Sequence, residues 1–231
     1  MATHLSIKTK KPEELFLDRL PTAARNAFLY CVSELDILLD SDWYLAGGTA
    51  LTLQVGHRQS VDLDFFLPNI DFDGIAFERE LLATRQWTTS FLEKGTIYGY
   101  LLRAKVSFIA YPFFKPSSHR IRCGNVSILT QNDIAAMKII AISQRGRKRD
   151  FIDLYWYAKN KESILDVLMR AIHQYPGQEK NLNHILKSLV YFEDAEQDPM
   201  PEIFFEATWK NIKQYFRREI PRITKEFLGL K

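Results

Sequence analysis

Cysteine is scarce in this chain: its 231 residues include only Cys31 and Cys123. Two thiols so far apart in sequence exclude a disulfide scaffold and a cysteine-based zinc site, and free thiols are typical of a reducing cytosol. No apolar run approaches the roughly 18 residues that a membrane span needs. The opening Met1-Ala2-Thr3-His4-Leu5-Ser6 lacks the charged and apolar regions of a signal peptide. We therefore expect a cytoplasmic protein with no membrane partner.

A strong charge of either sign is also missing. The formal net charge is +3 and the isoelectric point is about 8.7, a mildly basic balance that permits a nucleic-acid partner without arguing strongly for one. The histidines show no metal-ligand spacing. With 46% apolar and 26% charged residues, the composition is that of an ordinary globular protein long enough to bury a core.

The hydrophobic pattern changes character along the chain. Helical spacing over 22–39 precedes a short apolar strand, Trp43–Ala46, a helix over 49–55 and a second strand over 61–66. Period-two alternation then predicts strands over 87–93, 97–102, 105–110 and 121–129. From Asn132 onward every segment is helical in pattern, at about 132–144, 150–159, 161–173, 179–191 and 202–218. These patterns predict an α+β fold, with a small mixed sheet and flanking helices in 1–130 and a helical region in 131–231.

The most informative stretch joins two short motifs. Gly47-Gly48-Thr49-Ala50-Leu51 follows the first strand, and Gly56-His57-Arg58-Gln59-Ser60-Val61-Asp62-Leu63-Asp64-Phe65-Phe66 leads into the second. Side chains alternate across a strand, so Asp62 and Asp64 are predicted to share one face. Two adjacent carboxylates repel unless a cation lies between them. The pair therefore favours an oxygen-bound divalent cation, Mg²⁺ or Mn²⁺.

The residues around this carboxylate pair are typical of a phosphate site. A double glycine lets backbone N–H groups approach phosphate closely, so Gly47 and Gly48 are candidate nucleotide-binding residues. Thr49 starts a helix whose N-terminus favours anions. Arg58 and Ser60 lie just before the second strand, where both could reach phosphate oxygens. For Arg58 an alternative stays open, because its guanidinium could instead pin a loop carboxylate.

The order of these motifs resembles the nucleotidyltransferase AbiEii/AbiGii toxin family, a branch of the DNA polymerase β-like nucleotidyltransferase superfamily. The resemblance is carried by Gly47 to Leu51, His57 to Phe65, Lys138 and Arg149-Asp150-Phe151-Ile152-Asp153-Leu154, and it is dense over about 43–158. It implies the fold, Mg²⁺ and transfer of a nucleotidyl group from a nucleoside triphosphate (NTP). It also implies a toxin of a type IV-like toxin–antitoxin or phage-defence pair, with a cognate antitoxin and an acceptor such as tRNA or a protein.

A second set of candidate residues lies in the helical region. Lys138 sits within an apolar helix, where an ammonium costs free energy unless it has a partner; it is either a lysine that extends to solvent at a helix edge or, as the resemblance implies, a phosphate ligand. Asp150 and Asp153 lie three residues apart and so project to one side of a helix. They could cap that helix start, or, as the family block implies, orient Lys138 or activate the acceptor. Arg145 to Arg149 form a basic turn that is a candidate phosphate or acceptor clamp.

One position departs from the superfamily pattern, which usually carries a third carboxylate on a later strand. The matching polar position here is Ser107, and a hydroxyl is a poor substitute as a metal ligand or base. Three outcomes stay open: a helix aspartate replaces the carboxylate, one metal suffices, or catalysis has been lost. The leading hypothesis is thus a nucleotidyltransferase. The alternatives are an inactive nucleotide- or nucleic-acid-binding protein of the same fold and a housekeeping transferase that acts on an antibiotic or metabolite.

Overall fold

The computed structural model describes residues 6–227. By its contacts the chain divides between Thr130 and Gln131 into two compact units. The first contains a mixed sheet with helices, and the described part of the second is helical, as the predicted α+β class requires. Between residues 6 and 227 no helix is both long and apolar enough to cross a bilayer.

Unit 1 is built on an eight-stranded sheet of spatial order β1-β7-β8-β2-β3-β6-β5-β4. The strands are β1 (Ser6–Thr9), β2 (Tyr44–Ala46), β3 (Leu63–Leu67), β4 (Trp87–Glu93), β5 (Thr96–Leu101), β6 (Ala104–Ala110), β7 (His119–Cys123) and β8 (Val126–Leu129). The α-helices that the structure describes in this unit are α1 (Thr22–Ser33), α2 (Gly47–Val55) and α3 (Gly74–Ala83).

The centre of the sheet positions the sequence motifs. Strand β3 is antiparallel to β2 and parallel to β6, and Asp64 lies in register with Ala46 on one side and Ser107 on the other. The alternate residues Leu63 and Phe65 are buried because they face the core. Strand β3 therefore presents Asp64 on the face opposite to the core.

The core on that other face is aromatic. Phe65 and Phe108 stack with centroids 5.1 Å apart, and Phe77 of α3 meets Phe108 edge-on at 4.8 Å. Trp43 and Trp87 contact the same Phe108 ring. Rings of this size bury a large apolar area each, so the helix–sheet packing holds β3 and β6 rigidly.

Unit 2 packs its helices around α4. Its helices are α4 (Gln131–Arg145), α5 (Lys148–Asn160), α6 (Ile164–Gln174), α7 (Leu182–Ser188), α8 (Glu193–Glu196) and α9 (Trp209–Phe227). Helix α9 buries Ile212, Phe216, Ile220 and Ile223 at helical spacing, and Phe216 meets Phe151 of α5 edge-on at 5.4 Å. The buried faces of α5 and α9 thus form one apolar core within this unit.

Several predicted boundaries were wrong. The helix expected over 22–39 ends at Ser33 and is followed by a 3₁₀ turn, Asp36–Leu38. The single strand expected over 121–129 is a hairpin, since Gly124 adopts φ +52° and reverses the chain. The helix expected over 202–218 runs instead from Trp209 to Phe227 and continues through Pro221.

Candidate active site

The site in unit 1 begins where strand β2 passes directly into helix α2. Ala46 is the last strand residue, and Gly47 opens the helix with φ +72°, a left-handed backbone that disfavours any residue with a Cβ. A Cβ on Gly47 would lie 3.3 Å from Asp64 Oδ2. The glycine therefore keeps open the space beside one of the predicted metal ligands, next to the N–H groups of a helix start.

Gly48 keeps open a second space, which a buried arginine fills. A Cβ at this position would lie 2.2 Å from Arg58 Nη2 and 3.2 Å from Ser60 Oγ. Arg58 is only 3% exposed, and its Nη1 donates to the Gln59 carbonyl over 2.8 Å. One role of this guanidinium is thus to hold its own loop against the glycine turn.

The Thr49 hydroxyl ties helix α2 to the loop before β3. Its Oγ1 lies 2.9 Å from Ser60 Oγ and also contacts the main-chain carbonyl of Asp62. A carbonyl only accepts, and a hydroxyl has one proton. If Thr49 donates to Asp62, the Ser60 hydroxyl donates to Thr49. The three predicted site residues therefore form a buried chain that fixes the backbone at Asp62.

The two aspartates differ in how the fold holds them. Asp64 lies within β3 and accepts a hydrogen bond from Ser107 Oγ over 2.6 Å. Asp62 lies outside the strand, which begins at Leu63 and not at Val61 as expected, and Val61 is 47% exposed. Strand alternation therefore positions Asp64 alone, whereas the Thr49 contact positions the backbone of Asp62.

These residues fit a hard divalent cation. Asp62 and Asp64 supply carboxylate oxygens and are both partly exposed, and Gly47 lets Asp64 Oδ2 approach the start of α2 closely. Across the described residues 6–227 no three His, Cys, Asp or Glu side chains cluster in a way that could hold a metal. A Mg²⁺ ion bound by one or two carboxylates completes its shell with substrate phosphates and water, which matches a two-carboxylate site.

Unit 2 gathers its own predicted residues into a buried ionic cluster. Lys138 of α4 lies 2.6 Å from Asp150 Oδ1 and 2.6 Å from Asp153 Oδ2, both on α5. The two carboxylates are fully buried and the lysine side chain is 5% exposed. Lys138 therefore does not extend to solvent, and both aspartates orient it.

Arg145 completes this cluster. Its Nε lies 3.1 Å from Asp150 Oδ2, so two cations and two carboxylates meet. Burial by itself would raise the pKa of Asp150, but the attraction of Lys138 and Arg145 holds that pKa below its ordinary value. Sequence reasoning missed this partner of Asp150, although Arg145 stands five residues before it, just ahead of a helix-breaking glycine.

Two cations of the basic turn between α4 and α5 contact the segment around Asp198. Arg147 Nη1 pairs with Asp198 Oδ1 over 2.8 Å. Lys148 is buried, and its ammonium donates to the main-chain carbonyls of Glu196 and Asp198. These two cations fasten the segment around Asp198 to the start of α5, a structural role that the sequence did not reveal.

The fold and both sets of residues can be compared with known proteins. The family model described as "Nucleotidyl transferase AbiEii toxin, Type IV TA system" matches residues 28–227. The chain belongs to this family. This is a nucleotidyltransferase toxin family of type IV toxin–antitoxin systems, the family that the glycine and aspartate motifs resemble.

Two other proteins are similar to this AbiEii-family chain. The uncharacterized protein aq_aa25 of Aquifex aeolicus (strain VF5) is 36% identical over 200 residues, which span 81% of this chain and 89% of that protein. A crystal structure described as "putative nucleotidyltransferase from H. pylori" superposes with a TM-score of 0.53 at 16% identity, covering 91% of this chain and 99% of that one. The latter likeness shows the fold.

Proposed function

We propose that this AbiEii-family protein transfers a nucleoside monophosphate from an NTP to an acceptor hydroxyl, with Mg²⁺ or Mn²⁺ at Asp62 and Asp64. The observation that carries the proposal is the close approach of Asp64 Oδ2 to Gly47, where a Cβ would lie 3.3 Å from the carboxylate oxygen. This approach brings the carboxylate beside the N–H groups of the α2 start, which favour the oxygens of a triphosphate.

The transfer forms one bond and breaks another. The acceptor hydroxyl loses its proton to water and its oxygen attacks the α-phosphorus. The bond from that phosphorus to the oxygen shared with the β-phosphorus breaks, and pyrophosphate leaves with the electron pair. Asp62 and Asp64 would hold a divalent cation, which would neutralise charge on the phosphate oxygens and on the leaving group. Gly47, Gly48 and Thr49 contribute positioning of the phosphates against the helix start.

Lys138, Asp150 and Asp153 serve the same reaction in this proposal. An ammonium has three N–H donors, and two of them point to Asp150 and Asp153 at 2.6 Å. The third is left for a phosphate oxygen, so the aspartates act as positioning residues. If instead one of them takes the acceptor proton, replacing the missing carboxylate at Ser107, its loss should reduce turnover far more than nucleotide binding.

The acceptor is tested directly. Each α-labelled NTP is incubated with the protein and Mg²⁺ or Mn²⁺, in total tRNA and in protein extract, and the labelled product is identified. Label in tRNA or in a protein supports the transferase and names its acceptor class. The cognate antitoxin that its family implies is expected to relieve the resulting toxicity when both are expressed.

A second candidate function rests on Ser107. Its hydroxyl donates to Asp64 over 2.6 Å at the position where the superfamily usually has a carboxylate, which favours a protein that binds nucleotide or nucleic acid without chemistry. No label under any condition, together with metal-dependent NTP binding, would establish this alternative. Ser107→Asp is then the substitution expected to restore transfer.

A further inference from the structure

The face of the sheet that carries Asp64 continues outward as a row of side chains. Asp64 on β3 is in register with Ser107 on β6, Ser107 with Tyr98 on β5, and Tyr98 with Phe91 on β4. Residues in register on adjacent strands project from the same face. With about 4.8 Å between neighbouring strands, Tyr98 lies roughly 10 Å and Phe91 roughly 14 Å from Asp64 along this row.

The outer end of the row is aromatic and open. Phe91 and Tyr98 are each 42% exposed, and their rings stack at 24° with centroids 5.5 Å apart. Tyr100, two residues along β5 and therefore on the same face, is 40% exposed. Strand interiors usually turn large rings toward the core, as Phe65 and Phe108 do on the opposite face. Three open rings beside a candidate active site therefore indicate a binding surface.

Cations border these rings. Lys105 is in register with Tyr100, and a pocket of about 660 Å³ beside Tyr100 is lined by Arg85, Gln86, Thr88 and Arg103 among others. Within the described part of the chain, the side chains of Arg85 and Arg103 have no hydrogen-bond or ion-pair partner. Two guanidiniums are thus available to an anion.

The backbone at this pocket is strained. Arg85, Leu102 and Arg103 have φ of +58°, +50° and +71°, three of the four positive values among non-glycine residues in 6–227. Leu102 and Arg103 form the two-residue turn between β5 and β6, where glycine or asparagine is usual. Strain of this kind clusters at functional positions. A long cation stands at position 103, where glycine would be less strained, and this supports a use for the side chain of Arg103.

We propose that Phe91, Tyr98, Tyr100, Arg85, Arg103 and Lys105, here called the aromatic platform, bind a single-stranded nucleic acid as the acceptor of the transfer. Aromatic side chains stack on unpaired bases, and flanking cations follow the phosphates of such a strand. The proposal rests on the proposed function in taking Asp64 as the reacting end. An NTP bound at Asp64 is not expected to use rings that lie two and three strands away, whereas a polymeric acceptor extends that far.

The first test measures binding separately from chemistry. A fluorescein-labelled uridine oligoribonucleotide, and the matching oligodeoxyribonucleotide, are titrated with the full-length protein in low salt and followed by anisotropy. Stacking on one ring is worth about tenfold or more in affinity, so Phe91→Ala/Tyr98→Ala is expected to weaken binding at least tenfold. Tyr191→Ala is the control, since Tyr191 is 49% exposed and lies in unit 2, away from the aromatic platform in the sequence.

A second variant separates binding from folding. Arg103→Gly removes a cation and relieves the left-handed strain, so the expected result is a higher melting temperature together with weaker oligonucleotide binding and a shallower salt dependence. If Arg103 were needed only for structure, its replacement would lower both the melting temperature and the affinity for the oligonucleotide. Arg79→Ala on α3, which packs on the opposite sheet face, removes the same charge and should leave oligonucleotide affinity within twofold.

The outcomes divide cleanly. Asp64→Asn should lose metal-dependent NTP binding but keep oligonucleotide binding, so failure of the nucleotidyl-transfer proposal leaves this one standing. Absence of oligonucleotide binding by the wild type, or unchanged affinity in the Phe91/Tyr98 variant, overturns the aromatic platform. The aromatic platform is also overturned if these variants lose binding to a protein partner but keep binding to the oligonucleotide.

Discussion

At the scale of single residues, Asp64 carries the sharpest prediction. Asp64→Asn keeps the Ser107 hydrogen bond, because an amide oxygen also accepts, but removes one of two like charges. We expect calorimetric titration to show loss of Mg²⁺-dependent NTP binding with thermal stability unchanged or raised, since repulsion between the carboxylates is relieved. Asp18→Asn, at a largely exposed carboxylate, is the control. Wild-type NTP affinity in Mg²⁺ would contradict the ligand role.

Gly48 supplies a second prediction at this scale. An added methyl group would overlap Arg58 Nη2 at 2.2 Å, and the buried guanidinium has little room to move. Gly48→Ala should therefore cost about 1–3 kcal/mol of stability and weaken NTP binding. Arg58→Ala frees the space, so the double variant should be less destabilised than the sum of the singles. Strict additivity in urea unfolding would mean that the two side chains are not coupled.

At the scale of elements, the α4–α5 pair depends on its buried charges. Lys138→Met leaves Asp150 and Asp153 without the ammonium that both contact, and removing one partner of a buried ion pair costs about 3–5 kcal/mol. Replacing all three residues by neutral ones, as Lys138→Met/Asp150→Asn/Asp153→Asn, should cost less than the single change. Urea denaturation of the two variants measures the difference. Equal or greater loss in the triple variant would show that packing, not charge, dominates.

The elements also show what a sequence can and cannot predict. The order strand, glycine turn, helix, loop and strand over 43–66 was correct because each element has local signals. Ser107 was singled out as a departure from the superfamily pattern, but not as the hydrogen-bond partner of Asp64. The contacts of Arg145 with Asp150 and of Asp198 with Arg147 were missed. Such pairings depend on tertiary contacts that leave no local pattern. The register that aligns Phe91 with Asp64 joins four strands and cannot be derived from the alternation of any one of them.

At the scale of the whole molecule, the stability of the chain should fall in acid through Asp150. The folded-state pKa of Asp150 is held below the ordinary carboxyl value by Lys138 and Arg145, so its contribution is present above the unfolded pKa, about 3.9. It is lost as pH falls through the folded value. The free energy of unfolding, measured against pH, should therefore decline below about pH 4 less steeply in Asp150→Asn than in the wild type. If the free energy of unfolding falls equally steeply in both proteins, Asp150 does not contribute to the loss of stability in acid.

The strand order has a consequence for biosynthesis. Strand β2, which leads directly into Gly47, is flanked by β3, close in sequence, and by β8, which pairs Leu45 with Ile128. Strand β1 likewise pairs with β7, which begins at His119. A ribosome adds about 5–20 residues per second, so the nascent chain spends several seconds with one side of the glycine turn unsupported. The proposed nucleotide site is thus completed only after β8 has emerged, and a truncated translation product that stops before β8 cannot assemble it.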